Sequence, residues 1–471
     1  MGCKERFYCD IMAMHPEVTG SCNLVIVKFP DCSTTRFVVD CGLFQERDHE
    51  EMNEKLSFNA EDIDFLLLTH NHVDHTGRLP FMVKNGFTGK IYTTTTTSKL
   101  LPFALRDSYK VLKDTSKRKN KPILYNEDDV SKTEDLVVPR NYYETFWPNE
   151  RIKVTFLNNG HLMGAAMILV QITYPGCDDI NILFTGDYNN KNMFFDVKKV
   201  PKNVLKMPLT IIQESTYGYM DSCEMTKTFK HNVLNCVNNG GTAIVPVFSL
   251  GRAQEILYEV KCMQDSGELE RDIPVYFDGK LAIRYTDLYL KDGLDIRPEM
   301  RDFLPSNLEY VDKTNRPIIL ADTNRKIVLT TSGMGSYGPA QTYIPEYICR
   351  KGCLIQFTGY TAEGTLGHRL KTAKMGDAVE VGGIVAKKNA DVEYTTEYSA
   401  HAKADEMICF LKKFYNLKLV LVNHGQSDVK KAFAERILNE VDTKKVGILG
   451  DKYFFRVNAY GLVKTLSSDF E

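Results

Sequence analysis

The segment 66–77 limits what this chain can fold into more than any other part of the sequence. Its first three residues are leucines, which predict a short buried strand, and the polar motif His-x-His-x-Asp-His follows directly. Imidazole and carboxylate groups without a nearby cysteine are typical ligands of zinc or a similar divalent metal. His70 and His72, two residues apart just past a strand end, can reach one ion. Asp74 and His75 then point elsewhere, toward a second ion close by. A solvated histidine-rich turn is the alternative, but the strand directly before the motif argues strongly against it.

Other histidines stand beside predicted strand ends in the same way. His161 follows the strand 152–156 and lies beside glycines, and this position makes it a third imidazole for the same metal. Another apolar strand, 182–184, ends in a glycine and Asp187, a carboxylate that can bridge two cations. Six of the ten histidines lie next to strand ends, which random placement would not produce. They are His70, His72, His75, His161, His401 and His424.

Two further carboxylates follow predicted strands. Asp40 ends the second strand of a hairpin that pairs 24–27 with 36–39. It is either a plain turn carboxylate or, near a histidine-rich metal site, a residue that orients a ligand by accepting its other ring N–H. Glu214 stands at the end of the strand 209–212. The residues alone leave the choice for Asp40 open.

The composition is that of an ordinary soluble globular protein, with 43% hydrophobic and 25% charged residues, and 471 residues are enough for two or three domains. The net charge of −2 gives no global attraction to a polyanion, so a nucleic acid would have to be held by a local basic surface or by the metals. The N-terminus lacks an apolar signal-peptide core, and no stretch approaches the length of a membrane span. We therefore expect a cytoplasmic protein without a membrane partner.

The pattern of elements changes after Pro208. Buried strands there alternate with helices, which is typical of an α/β domain. We therefore expect an inserted domain at 208–391, with a first domain that begins with 1–207 and is completed by 392–471. The glycine-rich loops of the insertion, 359–367 among them, lack Walker spacing, which argues against an NTPase.

Taken together, these motifs resemble the metallo-β-lactamase fold and, within it, the β-CASP branch of nucleic-acid nucleases. That branch includes ribonuclease J and the nuclease subunit of the mRNA 3′-end cleavage and polyadenylation machinery. The positions that match the four lactamase motifs are Asp40, the motif at 70–75, His161 and Asp187. Those that match the three further motifs of the branch are Glu214, His401 and His424. Connecting segments such as 40–45, 251–255 and 362–367 are similar as well, so the resemblance spans nearly the whole chain.

The resemblance implies a metallo-β-lactamase αβ/βα sandwich with an inserted α/β β-CASP domain, and it implies two zinc ions. The implied ligands are His70, His72 and His161 for one ion, Asp74, His75 and His424 for the other, and Asp187 as the bridge between them. The implied catalytic set is His401 as the general acid, Glu214, which holds it, Asp40 and Asp74. A histidine at position 424 is similar to the RNA-acting members of the branch.

The sequence departs from the family's pattern at four positions. Lys403 and Gln426 stand where acidic or small polar residues are usual. His368 replaces an arginine, and Pro339 falls where relatives often have one. None of these four positions is an implied metal ligand. The differences leave the strength of RNA binding, the direction of cleavage and the substrate preference open.

The leading interpretation is a zinc-dependent ribonuclease that hydrolyses RNA phosphodiester bonds by means of a water activated by two metals. Cleavage would be endonucleolytic, 5′-to-3′ exonucleolytic or both, and the sequence does not choose between these modes. RNA is the expected partner, and a homodimer is an arrangement that the sequence allows. The alternative is a small-molecule ester or thioester hydrolase of the glyoxalase II or β-lactamase type, which shares the four lactamase motifs but not the inserted domain with Glu214. A scaffold homologue without metals is disfavoured because all seven motif positions are filled.

Overall fold

The structure, a computed structural model, describes residues 6–291, 296–359, 361, 364–443 and 445–467. The chain forms two compact units. The first is built from Met1–Asn192, Val197–Ser222 and His401–Glu471, and the second from Met193–Asp196 and Cys223–Ala400.

The first stretch of the first unit alternates strands with short helices. Its strands are β1 (Tyr8–Ala13), β2 (Asn23–Lys28), β3 (Thr34–Val39), β4 (Phe65–Leu67), β5 (Lys90–Thr94), β6 (Val137–Arg140), β7 (Thr145–Asn149), β8 (Ile152–Asn158), β9 (Ala166–Ile172), β10 (Ile180–Phe184) and β11 (Leu209–Glu214). Its α-helices are α1 (Val73–Thr76), α2 (Leu79–Lys84), α3 (Thr95–Lys119), α4 (Glu127–Leu136) and α5 (Lys202–Lys206), and 3₁₀ helices cover Arg47–Glu54 and Ala60–Asp62.

The second unit is an α/β domain around one parallel sheet. Its strands are β12 (Thr242–Pro246), β13 (Val275–Asp278), β14 (Leu308–Tyr310), β15 (Lys326–Thr330), β16 (Leu354–Phe357), β17 (Ala378–Val381), β18 (Ile384–Lys387) and β19 (Asp391–Tyr394). Its α-helices are α6 (Phe229–Asn238), α7 (Arg252–Asp265), α8 (Lys280–Lys291), α9 (Arg316–Ala321), α10 (Ala340–Ile348) and α11 (Leu366–Thr372), with a 3₁₀ helix at Pro298–Met300. A further 3₁₀ helix, Ser222–Glu224, begins at the last residue of the first unit before the chain enters the second. The sheet order is β14-β13-β15-β12-β16-β19, and β17 and β18 form a separate hairpin. Tyr360, Ala362 and Glu363 of the glycine-rich segment lie outside the described residues.

The chain then returns to the first unit with four strands and two α-helices in its described part. They are α12 (Ala404–Leu411), β20 (Leu417–Asn423), α13 (Ser427–Glu440), β21 (Val446–Ile448), β22 (Tyr453–Asn458) and β23 (Gly461–Ser467). These strands complete two sheets, one of order β23-β22-β1-β2-β3-β4-β5-β6 and one of order β21-β20-β11-β10-β9-β8-β7.

The two sheets of the first unit pack face to face, with helices outside. On β2, Val25 and Val27 face the core between the sheets, whereas Leu24 and Ile26 contact the layer formed by α2, α3 and α4. This alternation follows from the two-residue period of a strand. Helix α13 contacts β20 and β21 of the other sheet. The first unit is therefore an αβ/βα sandwich, as predicted.

The candidate site residues of the first unit follow the carboxyl ends of its strands. Asp40 follows β3 and the histidine motif follows β4, and these two strands are parallel. Asp187 follows β10 and His424 follows β20, and both strands run parallel to β11, which lies between them. Because the carboxyl ends of parallel strands meet at the same edge of a sheet, these side chains are brought together.

The corner after β3 is bonded closely to helix α1. The Cys41 N–H donates to the His75 carbonyl at 2.8 Å, and the Leu43 N–H donates to the Val73 carbonyl at 3.0 Å. Between them, a Cβ on Gly42 would lie 1.5 Å from the carbonyl oxygen of Asp74. A side chain cannot fit there, so glycine is required for this close approach.

The compact units differ from the predicted domain limits at 208 and 391. The sequence placed β11 in the inserted domain, but β11 pairs in parallel with β10 and β20 of the first unit. The predicted limit at 391 falls within β19, which pairs in parallel with β16 of the second unit. A strand of a parallel sheet carries no local sign of which sheet it will join, which explains both errors.

Within the described part of the chain, no helix has both the length and the apolar character that a membrane crossing requires.

The first prediction tests the approach of Gly42 to Asp74. Replacing Gly42 by alanine should push the β3 corner away from α1 and lower the free energy of unfolding by about 1–3 kcal/mol or more, the range of an overpacked core. Gly450→Ala is the matched control, since a Cβ there meets no atom within 4 Å. Thermal and urea unfolding of both variants would measure the difference. Equal unfolding midpoints for the two variants would contradict the steric argument.

Candidate metal centre

Three histidines and one aspartate face a common point at the edge of the first unit. The Nδ1 atom of His72 lies 3.2 Å from His70 Nε2 and 3.1 Å from His161 Nε2. Asp187 Oδ2 lies 3.7 Å from His70 Nε2 and 3.9 Å from His161 Nε2. In a tetrahedral site with metal–nitrogen distances of about 2.0–2.1 Å, neighbouring ligand atoms are about 3.3 Å apart. The spacing of this group therefore fits a shared cation.

A second group of ligand atoms lies beside the first. His75 Nε2 is 3.2 Å from His424 Nε2, 3.8 Å from Asp74 Oδ2 and 3.3 Å from Asp187 Oδ2. His424 Nε2 and Asp74 Oδ2 are 3.9 Å apart. The same oxygen of Asp187 thus faces both groups.

A divalent cation explains the close approach of these ligand atoms better than hydrogen bonds alone do. All ligand atoms of each group lie within 4.8 Å of one another. Asp187 is 2% exposed, and its Oδ1 atom faces His424 Nδ1 at 3.4 Å without the geometry of a hydrogen bond. Buried lone pairs that face one another without enough protons to share are costly, and a metal ion removes that cost.

The environment sets the charge of the imidazoles. Burial holds the pKa of His70 well below its usual value and lowers the pKa of His72 to about 4, so both rings are neutral, the form that binds metal. Burial also acts to lower the pKa of His75, but the carboxylates of Asp187 and Asp40 outweigh it and hold that pKa well above the usual value. The two carboxylates therefore favour a positive charge at this position.

The carboxylate of Asp187 stays ionised in this buried position. Burial acts to raise its pKa, but the neighbouring rings of His424 and His75 outweigh burial and hold the pKa well below its usual value. A buried negative charge of this kind attracts a cation strongly because little water screens it.

Polar side chains hold the other ring nitrogen of three of these histidines. Asp40 Oδ2 lies 2.8 Å from His75 Nδ1, and its Oδ1 accepts the Thr69 N–H at 2.8 Å. The Thr69 hydroxyl lies 3.0 Å from His70 Nδ1. The Thr216 hydroxyl lies 3.1 Å from Nδ1 of His424. Such outer contacts fix the orientation of a ligand ring and the nitrogen that it presents.

His401 and Glu214 form a separate pair beside the metal ligands. Glu214 is buried, and its Oε2 and Oε1 lie 2.9 Å and 3.2 Å from His401 Nδ1. Glu214 Oε1 also accepts the Tyr188 N–H at 2.7 Å. The His401 ring lies 4.8 Å from the ring of His161. Burial acts to lower the pKa of His401, but the Glu214 carboxylate outweighs it and raises that pKa above its usual value.

The structure brings every residue of the predicted site together within the first unit. Sequence reasoning missed Thr69 and Thr216, although each stands next to or near a motif residue and has a hydroxyl. It also missed His15, which is fully buried, with its ring 6.3 Å from that of His424. No periodic or motif signal marks His15, because it lies in a loop.

The four departures from the family's pattern lie in different places. Lys403 is buried beside the centre, with its Nζ 3.4 Å from the centroid of the Tyr217 ring. Gln426 directly precedes α13 in the first unit. His368 lies in α11 and Pro339 directly precedes α10, both in the second unit. Lys403 therefore contacts a ring that lies 5.9 Å from the ring of His401.

Three family models match the chain one after another. The metallo-beta-lactamase superfamily matches residues 19–234, the Beta-Casp domain matches residues 253–370, and the Zn-dependent metallo-hydrolase RNA specificity domain matches residues 385–448. The first and third of these regions contain the two groups of ligand atoms described above.

Known proteins resemble the chain along most of its length. It is 29% identical over 433 residues to the RNase J-like protein of Methanocaldococcus jannaschii, a match that covers 89% of this chain and 94% of that protein. It is 27% identical over 430 residues to Ribonuclease TTHA0252 of Thermus thermophilus, covering 88% and 91%. It is 30% identical over 439 residues to Transcription termination factor FttA of Methanosarcina mazei, covering 87% of this chain and 65% of that protein.

The chain therefore belongs to the β-CASP branch of the metallo-β-lactamase superfamily, a family of metal-dependent hydrolases. This confirms the family and the fold class that the sequence predicted.

The second prediction concerns Asp40, which touches a ligand ring rather than the metal position. Asp40→Asn should weaken divalent-metal binding by about 10- to 100-fold, because His75 loses the carboxylate that orients it. Asp64→Asn is the control, since the Asp64 carboxylate likewise accepts a backbone N–H, that of Arg36 within β3, but it contacts none of the ligand rings described above. Competition with a chromophoric chelator would measure both affinities. Unchanged affinity in Asp40→Asn would remove Asp40 from the metal centre.

Proposed function

We propose that the protein is a zinc-dependent ribonuclease that hydrolyses RNA phosphodiester bonds at a centre of two metal ions. The observation that carries the proposal is the position of Asp187 Oδ2, 3.3 Å from His75 Nε2 and 3.7 Å from His70 Nε2. One buried carboxylate oxygen thus faces both groups of ligand atoms, as a bridging ligand does.

The residues that would hold the ions are those that the two groups contain. One ion would be held by His70, His72 and His161, and the other by Asp74, His75 and His424, with Asp187 between them. Each ion would have three ligands of its own and would share the Asp187 carboxylate as a fourth. Neutral imidazoles and carboxylates in such a set are typical of zinc with an open position for a reactant. When bound, two such ions lower the pKa of a shared water and offset the charge that develops on the phosphate.

Hydrolysis also needs a proton for the oxygen that leaves. When the bond between phosphorus and the 3′-oxygen breaks, that oxygen departs as a poor alkoxide unless an acid protonates it. His401 would donate this proton, and Glu214 would keep the ring protonated and oriented through the contact at Nδ1, 2.9 Å away. The acid therefore depends on Glu214 as well as on its own position.

This pair favours a phosphodiester over an ester or thioester. A thiolate leaves readily without a proton, whereas a ribose 3′-oxygen does not. A dedicated acid beside the metal centre is therefore more useful for RNA than for a thioester. The match to an RNA specificity domain, which includes both His401 and His424, and the resemblance to proteins named as ribonucleases support the same substrate. RNA as the partner and the cytoplasm as the compartment are parts of this proposal.

The third prediction separates the proposed acid from the proposed ligands. His401→Ala should retain both metal ions and the fold, and its rate of RNA cleavage should fall by roughly 10²- to 10⁴-fold, as for a missing general acid. Glu214→Gln should lose less activity, also with metal retained, because the proton donor itself remains. His161→Ala should lose metal together with activity. Metal content and cleavage rate would be measured on the same preparations.

The control is His231→Ala, an exposed histidine of the second unit, which should match the wild type in both measurements. Loss of metal in His401→Ala, or near-normal cleavage by it, would show that His401 is not the acid.

The fourth prediction concerns the products. Attack of water on phosphorus with departure of the 3′-oxygen should leave 5′-phosphate and 3′-hydroxyl ends on single-stranded RNA. End-labelled RNA analysed before and after phosphatase treatment would show this. Rapid hydrolysis of thioesters with RNA left intact would instead favour the small-molecule hydrolase.

A further inference from the structure

The loop directly after Glu214 carries two tyrosines with very different exposure. This loop turns back at residues 216–219, beyond the carboxyl end of β11. Tyr217 is 4% exposed, whereas Tyr219 is 54% exposed, and their ring centroids are 5.9 Å apart. One ring is therefore part of the core, and the other is presented to solvent beside it.

The buried ring is fixed on two sides. The Lys403 Nζ atom lies 3.4 Å from the centroid of Tyr217, which is a close cation–π contact. The His401 ring lies 5.9 Å from Tyr217. Since Lys403 is itself only 1% exposed, this contact is screened little by water. Tyr217 is thus held firmly, and it supports the exposed ring of Tyr219.

The ring contacts of Tyr219 connect it with His401, the proposed proton donor to the leaving oxygen. Two ring contacts of 5.9 Å each lead from His401 through Tyr217 to Tyr219. His401 is proposed to protonate the 3′-oxygen of the nucleotide on the 5′ side of the cleaved bond. The exposed ring is therefore two ring contacts away from the proposed proton donor, and a nucleotide that carries the leaving group would come within its reach.

We propose that Tyr219 stacks on a base of the RNA, at the first or second nucleotide on the 5′ side of the cleaved bond, and that it favours a purine there. The inference rests on the proposed ribonuclease function. An exposed aromatic face binds any base by stacking, and it favours purines because their larger ring systems stack more strongly. Tyr219 would then be a residue that sets substrate preference, and it would take no part in the chemical step.

Three variants test the proposal on single-stranded RNA. Tyr219→Ala should raise KM by about 5- to 150-fold, the effect of losing one stacked base, while kcat stays close to that of the wild type. Tyr219→Phe should restore KM, because the stacking face is kept. A role limited to covering Tyr217 would instead change thermal stability, or kcat through His401, without a base-dependent change in KM.

Tyr415→Ala is the matched control. Tyr415 is 78% exposed and also lies in a turn, but it precedes β20, whereas His424 follows the other end of that seven-residue strand. At about 3.3 Å per residue the strand separates Tyr415 from the metal centre. Its replacement should leave KM unchanged.

A direct signature comes from 2-aminopurine placed at each of the two nucleotides on the 5′ side of the cleaved bond. Stacking should quench its fluorescence on mixing with the wild type and with Tyr219→Phe, but not with Tyr219→Ala. Replacing the same base by an abasic ribose should raise the KM of the wild type and have no added effect in Tyr219→Ala.

The outcomes separate the two proposals. If the wild type neither binds nor cuts RNA, the ribonuclease function fails and the stacking role fails with it. If the wild type cuts RNA while Tyr219→Ala shows the same KM and the same quenching, the stacking role alone is wrong.

Discussion

One buried carboxylate oxygen organises the first unit. Asp187 Oδ2 faces His70 Nε2 on one side and His75 Nε2 on the other, at 3.7 Å and 3.3 Å. An ionised carboxylate is costly to bury unless a positive charge compensates it. Here the rings of His424 and His75 keep its pKa low, and two cations would compensate it more fully. The strands and loops of the first unit hold these side chains around that oxygen.

The ligand side chains come together because the strands that precede them end close to one another. The residues after β3 and β4 meet because those two strands are parallel, and the residues after β10 and β20 meet because both strands run parallel to β11 between them. For this reason the sequence was informative about the site: a histidine or aspartate directly after an apolar strand is visible without a structure. Asp40, His70 and Asp187 were found in this way, and the structure places them together. Their roles as ligands or as a support remain predictions.

Features that depend on packing between distant segments were not visible. The contact of Thr216 with His424 joins residues that lie far apart in the chain, and no local pattern predicts it. Threonine favours strands, yet α3 begins at Thr95, within the run of five threonines at 93–97, because the Thr94 side chain accepts the Thr97 N–H and caps the helix. The limit at 208 was wrong because β11 joins a sheet that its sequence cannot specify. Contacts between distant segments explain the position of Thr216 and the limit at 208. The helix cap is local, and there one hydrogen bond outweighs the strand propensity of threonine.

The bridging position of Asp187 is tested most directly by anomalous X-ray scattering from crystals of the zinc-loaded protein, with data collected on both sides of the zinc edge. A two-metal centre should give two peaks about 3.5–4 Å apart. One peak should lie among His70, His72 and His161 and the other among Asp74, His75 and His424, with the Asp187 carboxylate between them. A single peak, or two peaks that Asp187 does not bridge, would show that Asp187 is not the bridging ligand of two metal ions.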